Sequence, residues 1–110
     1  MLAEVQNELA NTTDAATNLN LIRTRAGLAA TTAATQATLR TAIDLERRLE
    51  LVGKGHRWFD LQRSGNAVPV MNAYFQSTGT LVTIDANDLL LPISQSQVNT
   101  DPSITQNPGY

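Results

Sequence analysis

Two carboxylates lie in the apolar stripe of the longest helix that the sequence predicts. Glu46 and Glu50 continue the four- and three-residue steps that start at Leu39 and Ile43, so all four side chains share one helix face. A carboxylate among apolar groups needs a counter-charge or several hydrogen-bond donors. Two interpretations follow: a paired-carboxylate acid/base site, or a set of Arg–carboxylate pairs that tie helices together.

We favour the Arg–carboxylate pairs, because no Ser, Cys or Lys nucleophile lies beside a plausible base. The cations near these acids are nearly all arginine, whose planar guanidinium is suited to bidentate pairing with a carboxylate. They are Arg23, Arg25, Arg47, Arg48, Arg57 and Arg63.

His56 and Asp60 are four residues apart and would face one another on a helix. Such a pair can supply two metal ligands, or a base with the acid that orients it. Because the chain has one His and no Cys, any further ligand would have to be another carboxylate. We favour the simpler prediction, a hydrogen bond between the His56 and Asp60 side chains that fixes the helix after a glycine bend.

Trp58 and Phe59 form the strongest aromatic pair in the sequence. Aromatic faces stack on sugar rings, so Trp58 could be a platform for a glycan. A Trp on a short helix beside Leu61 more often packs into a core, and we therefore predict that Trp58 is buried.

The composition excludes several classes of function. A net charge of −2 over 110 residues provides no basic field for nucleic acid. No apolar run is long enough for a membrane-spanning helix, and residues 1–4 lack the basic and apolar parts of a signal peptide. The absence of cysteine removes disulfides, thiolate metal sites and a lipid-acceptor cysteine from this chain, and no cofactor is predicted.

Apolar spacing and turn residues predict the elements that position these side chains. Short helices are expected over 2–10 and from Ala15 to Ala26, joined by a turn at 11–14 and ended by Gly27 in a left-handed C-cap. After a loop at 29–34, the longest helix runs from about Thr35 to about Val52.

The predicted structure becomes less regular towards the C-terminus. Gly53 and Gly55 break the long helix, because glycine is unfavourable in a helix interior. Helical pieces follow over 56–63 and 70–75, with Pro69 near the first turn of the second. Residues 81–84 and 89–91 are predicted as short strands or extended segments, and a polar tail begins at Pro92. The predicted class is mainly α with an irregular C-terminal third.

Four blocks of sequence occur in a fixed order. The first, Leu19 to Leu28, reads LNLIRTRAGL, and the second comprises ERRLEL at 46–51 followed by GHRWFDL at 55–61 and Arg63. The third and fourth are LPI at 91–93 and TQNPGY at 105–110. Together these blocks resemble the LN-x-(I/V)-R-x-RAG, ERR-x-EL…EGHRWFDL-x-R, LPIP and QNPGY motifs of the SusD/RagB family. The chain departs from these motifs at Lys54, where the family usually has Glu, and at Ser94, which replaces a proline.

The resemblance implies a mostly helical protein of several hundred residues, built from tetratricopeptide-like helix pairs. Residues 1–28 would be the last such pair, and residues 29–110 the C-terminal segment of a partial α-α superhelix. The residues that the motifs mark as structural are Arg23, Arg25, Glu46, Arg47, Glu50, His56, Arg57, Trp58, Asp60 and Arg63. The resemblance assigns no ligand-binding residue to this chain, because the residues that contact sugars vary within the family.

The resemblance also implies a function. Family members are non-catalytic surface lipoproteins that capture glycans, starch among them, for a TonB-dependent SusC-like transporter in the outer membrane. The expected partners are that transporter and an oligosaccharide, and the lipid anchor would lie in an N-terminal segment absent from this chain.

Two alternatives to the binding function remain open. One is a tetratricopeptide-like interaction module with no ligand of its own. The other is a carboxylate- or metal-dependent hydrolase that uses His56, Asp60, Glu46 and Glu50. Because about three helical repeats are usually needed for stability, we also expect residues 1–110 alone to be loosely packed, to self-associate, or to depend on the rest of the same polypeptide.

Overall fold

The computed structural model describes all 110 residues, as helices joined by turns and irregular segments, with no β-strand. The chain forms two compact units, Met1–Gly55 and His56–Tyr110. The predicted mainly α class is confirmed. None of the helices combines the length and apolar character that crossing a bilayer requires.

The first unit contains three helices: α1 (Leu2–Glu8), α2 (Thr12–Arg25) and α3 (Gln36–Glu50). All three pack against one another, and a short turn joins α1 to α2, as the helical hairpin predicted from the sequence requires. The loop predicted between α2 and α3 is also present.

A small core holds the first unit together. Ala15 and Leu19 of α2 are buried against Leu39 and Ile43 of α3. The residues packed around this cluster are all alanines: Ala3, Ala16, Ala33 and Ala42. Burying each of the larger aliphatic side chains contributes roughly 1.5–3 kcal/mol. Because so few large side chains contribute, polar contacts between the helices carry more of the unit's specificity.

A reciprocal amide contact joins α1 to the start of α3. The Asn7 Nδ2 group donates to the Gln36 carbonyl at 3.0 Å, and the Gln36 Nε2 group donates to the Asn7 carbonyl at 2.7 Å. Asn7 is fully buried, and its Nδ2 bond offsets part of the cost of removing the side-chain amide from water, while its Oδ1 has no partner.

The ends of the long helices follow the expected chemistry. Thr35 and Thr38 form a capping box at the start of α3, in which each side chain bonds the backbone N–H of the other. Gly27, just after α2, and Gly53, after α3, have φ values of +72° and +75°. A residue with a Cβ is strained by roughly 1–2 kcal/mol in this left-handed region, which explains the glycine directly after the C-cap of α2 and the one shortly after α3.

The second unit contains α4 (Arg57–Arg63), α5 (Ala67–Ser77), a 3₁₀ turn (Asn87–Leu89) and α6 (Gln95–Thr100). Helix α5 starts earlier than predicted, with Pro69 still in its first turn. Helix α6 lies in the stretch predicted as an irregular polar tail, so that prediction is wrong there. Its sequence, QSQVNT, has too few apolar residues to show a helical period.

At residues 81–84 and 89–91, predicted as short strands or extended segments, the structure contains no strand, and these residues are irregular outside the 3₁₀ turn. Residues 81–84 have no strand partner, and Leu89 belongs to the 3₁₀ turn. Instead, the Asn72 side chain of α5 makes two hydrogen bonds with the backbone of Ile84: its Nδ2 donates to the carbonyl at 2.9 Å and its Oδ1 accepts from the N–H at 2.8 Å. A strand needs a neighbouring backbone for its ladder, and here a side-chain amide takes that place.

Candidate functional site

The carboxylate of Glu46 is held by Arg23. The Arg23 Nη1 group donates to Glu46 Oε2 at 2.8 Å, and the two side chains are 24% and 6% exposed. The Nε group of the same guanidinium donates to the Ala29 carbonyl at 2.8 Å. Arg23 thus connects the last turn of α2, the following loop and the buried face of α3.

A second ion pair lies one helical turn further along α3. The Arg25 Nη2 group is 2.7 Å from Glu50 Oε2, and these side chains are 66% and 36% exposed. The Arg–carboxylate pairs predicted from the sequence are therefore confirmed at both acids. Since each carboxylate has its own arginine, the two serve as separate ion-pair partners between helices.

A third ion pair was not predicted. Arg40 of α3 makes a two-point contact with Glu8 of α1, with Nε to Oε1 at 2.8 Å and Nη2 to Oε2 at 2.6 Å. The hydrogen bonds from Arg40 lower the pKa of Glu8, and those to Glu8 raise the pKa of Arg40. The two residues are 32 positions apart, so no local spacing indicates the pair. Only the packing of α1 on α3 brings them together.

The predicted hydrogen bond between the His56 and Asp60 side chains is not formed. His56 is the exposed residue that precedes α4, and its link to Asp60 is a backbone one: the Asp60 N–H donates to the His56 carbonyl at 3.1 Å. The Asp60 carboxylate is buried and lies 3.6 Å from Arg63 Nη2. The permanent charge of the guanidinium makes it a better partner for a buried carboxylate than an imidazole in water.

The predicted burial of Trp58 is wrong. Its side chain is 37% exposed, and Phe59 is exposed further. Helix α4 buries the face that carries Asp60 and Leu61. Since each residue turns a helix by about 100°, Trp58 lies about 160° from Asp60 and about 60° from Leu61, at the edge of that face, which agrees with its partial exposure.

The remaining residues of the signature motifs do not come together to form one site. Arg47 and Arg57 are half-buried, and each takes part in further interactions. No three His, Cys, Asp or Glu side chains lie together in a way that could hold a metal ion. The arrangement is therefore a set of inter-helix and local ion pairs, which fix the geometry of a helical scaffold.

Comparison with known proteins shows which family the chain is similar to. The model of the SusD family matches residues 1–110. A curated protein described as "SusD-like protein P38", from Formosa agariphila, is 30% identical over 117 residues, which cover 98% of this chain and 22% of that protein. The chain thus spans about a fifth of the length of this relative. No solved structure gives a significant match.

Proposed function

Since the chain belongs to the SusD/RagB family, we propose that it is part of a non-catalytic protein that binds glycans or similar nutrients and delivers them to a TonB-dependent SusC-like transporter. The protein acts at the outer membrane, on the cell surface, and is anchored by a lipid. The observation that carries the proposal is the family match over the whole chain. The helical scaffold, with its acidic side chains engaged by arginines, is consistent with it.

Within such a protein, residues 1–28 are the last tetratricopeptide-like helix pair and residues 29–110 the C-terminal segment. The hairpin of α1 and α2 supports this division. Helix α1 also presents Leu2, Val5 and Leu9 to solvent while it buries Asn7. These leucines and valine form one stripe at helical spacing, and a helix normally turns such a stripe towards other protein. A preceding helix pair of the same polypeptide is the partner that fits this face.

The position of that helix pair is tested by comparing residues 1–110 with the complete protein. We expect the isolated chain to self-associate or to melt over a broad range, and Val5→Asp to destabilise the complete protein. Thr17→Asp, at an exposed position on α2, is the control. A monomeric isolated chain with a sharp, cooperative melt would contradict the division.

The residues of the signature motifs act as scaffold rather than as ligand contacts. Arg23 and Glu46 support this role, because each is the other's partner and neither is well exposed. Calorimetry of the complete protein with oligosaccharides tests both parts of the proposal. We expect saturable binding that Arg25→Ala leaves unchanged within about twofold, because an exposed ion pair between helices contributes little to stability. A large loss of affinity with unchanged stability would place Arg25 at the ligand.

A second candidate is a tetratricopeptide-like interaction module without its own ligand. The exposed stripe on α1 favours it, because such stripes also dock other proteins. The N-terminal sequence of the complete protein separates the two candidates. A signal segment that ends in a lipid-acceptor cysteine supports the surface lipoprotein, and co-purification with the transporter then identifies its partner.

A further inference from the structure

The last residues of the chain run beside the segment that follows the 3₁₀ turn. The Gln106 side chain bonds both backbone groups of Ile93: its Nε2 donates to the carbonyl at 2.9 Å, and its Oε1 accepts from the N–H at 2.8 Å. This is the two-bond pattern of paired antiparallel strands, with an amide side chain in place of one strand. We refer to residues 106–110 as the C-terminal strap and to residues 90–93 as the receiving segment.

Two more side chains of the strap engage the same backbone. The Asn107 Nδ2 group donates to the Leu91 carbonyl at 2.6 Å, and the Tyr110 hydroxyl donates to the Leu90 carbonyl at 2.9 Å. The remaining residue of the receiving segment, Pro92, has no N–H to satisfy. Three strap side chains therefore take up the carbonyls of Leu90, Leu91 and Ile93.

The strap lies close enough to the turn to require glycine. Gly109 has a φ of +95°, and a Cβ at this position would lie 2.8 Å from the Cβ of Asn87. Carbon atoms do not approach so closely without displacement, and the backbone conformation itself favours glycine. This contact and the four side-chain bonds explain the residue types at four of the five strap positions, Gln106, Asn107, Gly109 and Tyr110, for which the proposed function has no role.

We propose that the receiving segment is a recognition site for an extended peptide that bears side-chain amides and a tyrosine hydroxyl, and that the strap occupies this site in cis. The contacts are made to the backbone rather than to the side chains. Leu91 remains 85% exposed although its carbonyl is bonded. The backbone of the receiving segment therefore recognises its occupant through hydrogen bonds, as a sheet edge does when it binds an added strand.

The strap also covers a surface that would favour aggregation if it were exposed. Residues 89–91 are three consecutive leucines. Without the strap, Leu90 and Leu91 would present open carbonyls beside apolar side chains, which is the pattern that pairs with another chain and promotes aggregation. Occupation in cis thus keeps the segment from binding a second molecule.

Hydrogen exchange on the complete protein tests the strap directly. Gln106→Ala removes both bonds to Ile93, and we expect the Ile93 amide to exchange at least about tenfold faster. The Leu90 amide donates to the Asn87 carbonyl and not to the strap. Its exchange should also accelerate, since release of the strap frees the whole segment. The control is Gln97→Ala, at an exposed position on α6, which should change neither amide. Acceleration at Ile93 alone, or at neither amide, would overturn the proposal.

A peptide supplied in trans tests recognition. A protein that ends at Thr105 should be cleaved faster by chymotrypsin at residues 89–91. A peptide with the sequence of residues 106–110 should restore protection at roughly millimolar concentration, the effective concentration of a tethered segment. The same peptide with alanine at the Gln106 position should not. If the first peptide does not restore protection, or if both peptides protect equally, the receiving segment does not recognise the strap sequence.

Trypsin provides the folding control for this experiment. Residues 64–110 contain no Lys or Arg, so trypsin does not cut the strap or the receiving segment and reports on other parts of the protein. If the shortened protein becomes generally sensitive to trypsin, it has lost its fold, and the exchange rates of Gln106→Ala then decide the question.

Discussion

Replacing Arg23 with alanine is expected to destabilise the protein far more than replacing Arg25, although the two arginines make ion pairs of nearly the same length from the same helix. Arg23→Ala leaves the Glu46 carboxylate without its counter-charge and the Ala29 carbonyl without its donor. Removing one partner of a fully buried pair costs about 3–5 kcal/mol. Because Arg23 is partly exposed, water reaches the site, and we expect a loss of about 2–4 kcal/mol in the free energy of unfolding.

The matched control is Arg25→Ala. Both members of the Arg25–Glu50 pair are open to solvent, so its loss should cost no more than about 1 kcal/mol. Denaturant titration of the complete protein measures both values. Double-mutant cycles with Glu46→Gln and Glu50→Gln then isolate the pairwise coupling. We expect a coupling above about 1 kcal/mol for the buried pair and below about 0.5 kcal/mol for the exposed one. If the two arginine variants lose the same free energy of unfolding, Arg23 is not the main ion-pair partner that holds α2 against α3.

Three further predictions concern the first unit. Leu39→Ala should lower the free energy of unfolding by about 2–5 kcal/mol in denaturant titrations, because Leu39 is fully buried, whereas Leu81→Ala, at a fully exposed position, should change it by less than about 0.5 kcal/mol. Glu8 has a lowered pKa in the folded state, so its pair with Arg40 stabilises the protein above the ordinary value of 4.5 and is lost as the pH falls through the folded-state pKa. The difference in Tm between the wild type and Glu8→Gln should therefore shrink below pH 4.5. Gly27→Ala should cost about 1–2 kcal/mol through backbone strain alone, as calorimetry can check, because the space around Gly27 is open.

The helices could be predicted from the sequence where local patterns and caps agree. The stripe of Leu39, Ile43 and Glu46 identifies the buried face of α3, and Thr35 marks its start. Gly27 marks the end of α2 in the same way, because the left-handed conformation there depends on the residue itself. The acids at 46 and 50 also indicated ion pairs, since a carboxylate in an apolar stripe needs a partner nearby.

Features that depend on distant packing could not be predicted. The Glu8–Arg40 pair exists only because α1 packs on α3, and the extended segment near Ile84 is held by an amide from α5. Apolar composition predicted a short strand or an extended segment there, but nothing in the local sequence shows which group satisfies the backbone. For α4, the i and i+4 spacing predicted a contact between the side chains of His56 and Asp60, but spacing does not show that Arg63 lies beside the same carboxylate.

Polar contacts hold the three helices of the first unit at both ends. Ion pairs fix α2 against α3 at one end, and the Asn7–Gln36 contact fixes α1 against α3 at the other. The apolar stripe on α1 remains open for a neighbouring helix pair. These features are those of a structural region, and they agree with the scaffold role proposed above for the signature residues.

The central claim, that the complete protein captures a glycan for a transporter, is tested most directly by titrating it with oligosaccharides in a calorimeter. We expect saturable heat for at least one oligosaccharide, with affinity unchanged in Arg25→Ala. No heat with any oligosaccharide, together with saturable binding of a different class of nutrient, would contradict the glycan assignment.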